Sequence, residues 1–176
     1  MKLIVLFLFF TIKILAQNPV APNLEFVMEL KVTTDPAQNI GPTSHGVRRF
    51  IPITGGTFEG PNLKGNVLNG GADYQFFTEN TKGDSRTEIE AIYTIKTDDN
   101  VLIHIRNEGL VVRIKEENVP QKTDNQADYT KLYFRAAPKF EAPANSKYDW
   151  MNNALFVCKG IPTGKGYVII QVWKVL

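Results

Sequence analysis

Across residues 24–32 apolar and polar side chains alternate: Leu24, Phe26, Met28, Leu30 and Val32 fall on one face, with Glu25, Glu29 and Lys31 on the other. A period of two marks a strand with one buried face. The alternation returns over residues 86–96, where Ile89, Ala91, Tyr93 and Ile95 oppose Glu88, Glu90, Ile92 and Thr94. Asp98-Asp99-Asn100 then makes a tight hairpin that folds residues 101–112 back, asparagine being a residue that tolerates left-handed φ. Residues 129–137 read as a further strand, and 154–159 with 167–175 as a closing hairpin across 160–166. Between them, 138–146 read as a connection and 147–153 as one helical turn. Residues 33–46 and 113–128 read as loops. The second, charged and without helical periodicity, is long enough to serve as a lid or binding loop.

Residues 49–75, RFIPITGGTFEGPNLKGNVLNGGADYQ, organise the rest. Six glycines and two prolines occupy these 27 positions. Glycine costs about 1 kcal/mol and proline about 3 kcal/mol in a helix interior, so short strands turning sharply on one another are predicted instead. The pairs Gly55-Gly56 and Gly70-Gly71 suit bulges and barrel corners. Roughly eight to ten short strands with regular turn signals make the chain all-β, a barrel or sandwich with at most one or two helical turns.

Composition adds limits. With 176 residues, 43% apolar and 22% charged, the chain suits one domain with its own core. Lys2, the apolar run from Leu3 to Phe10 continuing to Leu15, and Ala16 match a secretory signal peptide. Cleavage after Ala16 would leave residues 17–23 as an extended lead and 24–176 as the folded domain, exported to the periplasm or beyond. Lys13 and the segment's brevity argue against stable membrane insertion. Without Lys2 and Lys13 the chain carries 18 basic and 18 acidic groups, which offers no electrostatic case for nucleic acid. Cys158 is the single cysteine, so no internal disulfide is available, and its apolar neighbours suggest a small buried hydrophobe.

Familiar catalytic signatures are missing. Residues 160–166, GIPTGKG, are one position short of a phosphate loop and lack the hydroxyl residue after the lysine. His45 and His104 have no carboxylate or cysteine at ligand spacing, so no metal is expected. No serine has a nucleophile-elbow context. What remains is carboxylates, arginines, tyrosines and amides on strands: Asp73 with Gln75, Glu88 with Glu90, and Tyr133 with Arg135 each share a face. If those faces turn inward they make a polar patch in an apolar cup, the usual form of a small-molecule site. If they turn outward they are solvated strand faces and surface ion pairs.

The run from Ile51 to Gln75 is similar to the signature of the bacterial and fungal domain-of-unknown-function family 3237. Later pieces agree: Tyr93-Thr94-Ile95, Ile105-Arg106-Asn107 with Gly109, Tyr133-Phe134-Arg135 with Pro138, Phe140 and Glu141, then Tyr148, Trp150, Asn152 and Phe156-Val157. The resemblance covers residues 24–176 and implies a compact antiparallel β-barrel, without a settled activity. Tyr74 and His104 depart from its pattern.

The resulting expectation is a cofactor-free acid/base enzyme, an isomerase, cyclase or lyase, acting on a small, largely apolar molecule. Asp73 or Glu59 would be the base, with Arg106, Arg135 and Tyr133 stabilising developing negative charge. Arg49, Gln75, Glu90, Tyr93, Asn107, Glu141, Tyr148, Trp150 and Asn152 are candidates for holding the substrate. The alternatives are a non-catalytic periplasmic carrier, whose interior would contain no desolvated carboxylate, and a structural protein with a filled barrel.

Overall fold

The computed structural model describes residues 19–81, 84–113 and 132–176. The expected signal peptide, and the expected long loop apart from Arg113, lie outside the described residues. Ten strands follow one another: β1 (Leu24–Thr34), β2 (Gln38–Thr43), β3 (Gly46–Glu59), β4 (Lys64–Val67), β5 (Gly71–Glu79), β6 (Ser85–Thr97), β7 (Leu102–Arg113), β8 (Tyr133–Glu141), β9 (Phe156–Pro162) and β10 (Tyr167–Val175). A 3-10 helix, Asp149–Asn153, stands between β8 and β9.

β1 pairs antiparallel with β10 along one edge and with the second half of β3 along the other, so the sheet returns on itself. The result is a closed eight-stranded antiparallel barrel with two outer strands; β4 and β5 follow one another in the interval between β3 and β6. Closure removes exposed sheet edges. The bend that permits it lies in β3, whose first half pairs with β5 and whose last residues pair with β4. Gly56, with φ +136°, sits at this corner, and a Cβ there would lie 2.0 Å from the Lys31 carbonyl oxygen. Only glycine lets the two strands approach so closely.

Alternation decides which side chains enter the barrel. At one end the interior is full: Met28, Leu30, Ile95, Ile103, Ile105 and Val172 are almost wholly inaccessible. Phe140 and Phe156 meet edge to face at 4.8 Å, and Met151 of the 3-10 helix closes the end with Tyr148. The Tyr148 hydroxyl donates to Asp99 Oδ1 at 2.7 Å, fastening this plug to the β6–β7 hairpin. Asn100 in that hairpin has φ 69°, the left-handed conformation its position demanded.

Two elements differ from the pattern-based expectation. Residues 38–43, read as loop, form β2; its side chains carry no apolar period, and it is held by main-chain pairing to the start of β3. Residues 138–141, read as connection, continue β8. Pro138 lies opposite Asn107 of β7 and beyond the two register pairs that β8 makes with β9, Arg135 with Lys159 and Ala136 with Cys158, so on its β9 side there is no ladder for a missing N–H to interrupt.

Candidate functional site

The other end of the barrel holds a cavity of about 510 Å³. Its walls are mostly apolar, including Ile51, Ile53, Ile89, Val111, Phe134 and Ile170. Into it the β3–β5–β6–β7 register brings polar groups in successive layers: Ile51 lies opposite Asp73, Asp73 opposite Ala91 and Ala91 opposite Asn107, while Arg49 lies opposite Gln75 in the next layer outward.

These groups are joined. Arg49 Nε donates to Gln75 Oε1 at 2.7 Å, and Gln75 Nε2 donates to Asp73 Oδ2 at 2.5 Å. Gln75 therefore stands between guanidinium and carboxyl, holding both side chains while keeping them apart. Asp73 keeps part of its surface open to the cavity, but its Oδ1 is buried with no hydrogen-bond partner among the described residues. Desolvation pushes the Asp73 carboxyl up to about 6, against the opposing pull of Gln75, the Glu90 main chain and the charge of Arg49. Burying a carboxylate without full pairing disfavours its ionised form.

Tyr93 and Asn107 complete the deep end. Burial, reinforced by nearby Cys158 and Asp73, raises the Tyr93 phenol above its ordinary value, so it stays protonated. Asn107 is 2% exposed, and its Oδ1 accepts the Cys158 thiol at 3.6 Å. The same burial pushes that thiol up to about 11, so it is a packed side chain rather than a nucleophile at neutral pH.

Five of the candidate residues thus converge on one cavity: Arg49, Asp73, Gln75, Tyr93 and Asn107. The others do not join them. Glu59 is exposed at the filled end of the barrel, opposite Lys64 and Glu29. Glu90 and Arg106 lie on the outside in an ion pair of 2.6 Å, with Glu108 2.8 Å from the same guanidinium nitrogen. Tyr133 and Arg135 are also outside, the guanidinium 5.4 Å from the ring centroid. Glu141 is exposed at the end of β8. Trp150 packs beside Phe156, and Asn152 bonds the Ala142 main chain, both with Tyr148 around the plug. The geometric reason is parity. Tyr93 points inward, so Glu90, three residues earlier, points outward; Asn107 inward sends Arg106 outward, and Phe134 inward does the same to both its neighbours.

Sequence reasoning passed over Thr87, Phe134 and Arg113, all of which line the cavity. Thr87 shares its face with Ile89, Ala91 and Tyr93, and Arg113 shares one with Val111 and Asn107. The signal was the same period of two; Arg113 was lost because β7 runs one residue further than its apolar pattern suggests. Among the described residues no three His, Cys, Asp or Glu side chains cluster as metal ligands, and no helix is long and apolar enough to cross a membrane.

The profile of the family described as "Protein of unknown function (DUF3237)" matches residues 22–175. A UPF0311 protein of Clostridium acetobutylicum is 36% identical over 137 residues, covering 77% of this chain and 84% of the relative. The crystal structure of a conserved protein of unknown function from Rhodopseudomonas palustris superposes with a TM-score of 0.78 at 30% identity, covering 90% of this chain and all of that one. A fungal protein named hydroalkoxylation enzyme phnH, from Penicillium herquei, is 25% identical over 168 residues, covering 94% of this chain and 92% of that protein.

Proposed function

Because the chain belongs to the DUF3237 family of proteins of unknown function, its activity must be read from its own cavity, and we propose that it is an acid/base enzyme moving a proton on a small, largely apolar molecule. The observation that carries this is Asp73: a desolvated carboxyl in a cavity, with one oxygen unpartnered among the described residues, pushed up to about 6. A group near neutrality is present in both forms, which is what a general acid or base requires. A passive carrier has no use for a carboxylate held at such cost, and a filled structural barrel would have no cavity.

In this reading the Asp73 carboxyl takes a proton from a substrate C–H or O–H, or returns one to carbon. Arg49, oriented through Nε by Gln75, has terminal N–H groups with no hydrogen-bond partner among the described residues, able to stabilise an oxygen on which negative charge develops. The Tyr93 phenol and the Asn107 amide offer further polar contact at the deep end. Isomerisation, cyclisation and elimination all fit, since each moves protons without net oxidation. A hydroalkoxylation, the addition of an O–H across a C=C bond, is of this kind, and the name of the Penicillium relative supports the choice. Export through cleavage near Ala16 remains part of the proposal; N-terminal sequencing of secreted protein that found Met1 retained would remove it.

The test is incubation in D₂O with enolisable ketones and unsaturated alcohols and phenols, with mass spectrometry of deuterium uptake or cyclised product. Asp73→Asn is expected to lose about 10²-fold or more of the rate. Equal turnover by wild type and Asp73→Asn would remove Asp73 from the mechanism.

A further inference from the structure

The described chain contains six arginines, and four of them have found partners within the protein. Arg86 pairs with Glu88, and Arg106 with Glu90 and Glu108. Arg48 lies over the Phe76 ring and Arg135 over Tyr133. The two that have neither a carboxylate nor an aromatic partner among the described residues, Arg49 and Arg113, are the two that line the cavity. Among the described residues Asp73 is the sole acidic one in that lining, and Gln75 separates it from Arg49. The cavity therefore carries an excess of positive charge that the described protein does not neutralise.

The two cations are placed at different depths. Gln75, opposite Arg49, lies opposite Ile89, and Ile89 opposite Gly109; Arg113 is four residues further along β7 from Gly109, toward the mouth. At about 3.3 Å per residue this is about 13 Å between backbone levels. Phe77, Val111 and Phe134, with Thr87, occupy the wall between.

We infer that the substrate is an amphipathic organic acid, with its reacting end at Arg49 and Asp73, an apolar body along the wall, and its carboxylate held by Arg113 at the mouth. The orientation rests on the proton-transfer reading above; the preference for an anion rests on two guanidinium groups that have no carboxylate partner among the described residues. A carboxylate satisfies Arg113 by charge-assisted hydrogen bonds that its isosteric amide cannot match. The apolar middle excludes ligands charged throughout, and the spacing favours a body of about 10 Å. Arg113 is thus a specificity-determining residue rather than a catalytic one.

The experiment is isothermal calorimetry with 4-phenylbutyrate, 6-phenylhexanoate and 8-phenyloctanoate, each beside its primary amide, on the full chain. The expected result is that at least one acid binds about tenfold more tightly than its amide, the scale of hydrogen bonds to charged groups. In Arg113→Gln that ratio should fall below about threefold, and Arg113→Lys should restore part of it. Arg113 lies at an exposed strand end, so both variants should keep the wild-type melting temperature. Equal binding of acid and amide, binding of neither, or a preference that survives in Arg113→Gln would overturn the inference. Because binding is read without turnover, Asp73-independent chemistry would sink the catalytic reading and leave this one standing; equal binding with Asp73-dependent exchange would do the reverse.

Discussion

Replacing Asp73 by Asn should stabilise the protein, and the gain should depend on pH. In the folded chain the carboxyl titrates at about 6, against an ordinary 3.8. Below the lower value both folded and unfolded chains hold the proton, and the carboxyl imposes no penalty. As pH rises from about 4 to about 6 the unfolded chain releases its proton first, so stability falls across that window and stays reduced above it. At about 1.4 kcal/mol for each tenfold change in proton affinity, the full penalty is about 3 kcal/mol. Asparagine keeps the shape and can still accept from Gln75, but never ionises. Urea unfolding of wild type and Asp73→Asn at pH 4, 5, 6, 7 and 8 measures the difference directly. It should be small at pH 4, grow through pH 5 and 6, and level off near 3 kcal/mol at pH 7 and above. A difference that is flat with pH, or a variant no more stable than wild type at pH 8, would refute the argument that the cavity desolvates this carboxyl.

Other consequences can be checked alongside. Gly71→Ala should cost about 1–3 kcal/mol in urea unfolding, since a Cβ there would lie 2.5 Å from that of Tyr93 and 2.6 Å from the Ile92 carbonyl oxygen. Arg106→Ala, on the outer face, should change stability by less than about 1 kcal/mol and leave deuterium exchange at wild-type rate. A loss of activity there would return the outer ion pair to the site. Cys158, 1% exposed, should resist thiol reagents in the folded protein at pH 8 and react once urea unfolds it. Leu30→Ala, at the filled end of the barrel, should lose about 2–5 kcal/mol while the cavity's ligand preference is unchanged.

Much of the fold was readable because it rests on local rules. Alternation in residues 24–32 and 86–96 located β1 and β6, glycine pairs located the bend in β3 and the approach to β5, and Asn100 located a hairpin. β2 escaped notice because its side chains are almost all exposed and only its main chain is engaged. Pro138 hid the end of β8 because its effect depends on whether a neighbouring strand needs its N–H, which no local pattern reveals. The site was half legible. Asp73, Gln75 and Arg49 were picked out by residue type, yet Glu90 and Arg106 were chosen with Tyr93 and Asn107 although strand parity sets them on opposite faces.

By itself the sequence determined which residues share a face, because side chains on an extended backbone point alternately to its two sides whatever surrounds them. It also determined where the chain can bend sharply, since glycine, and at the β6–β7 hairpin Asn100, accept positive φ where other residues rarely do. Which face became the interior, and which strands became neighbours, was decided by closing the barrel. Closure is a non-local choice of register, and it set Arg49, Gln75 and Asp73 in one hydrogen-bonded row while leaving Glu59 at the far end. The raised Asp73 carboxyl is a product of that closure, because desolvation arises only once the surrounding strands have shut out water.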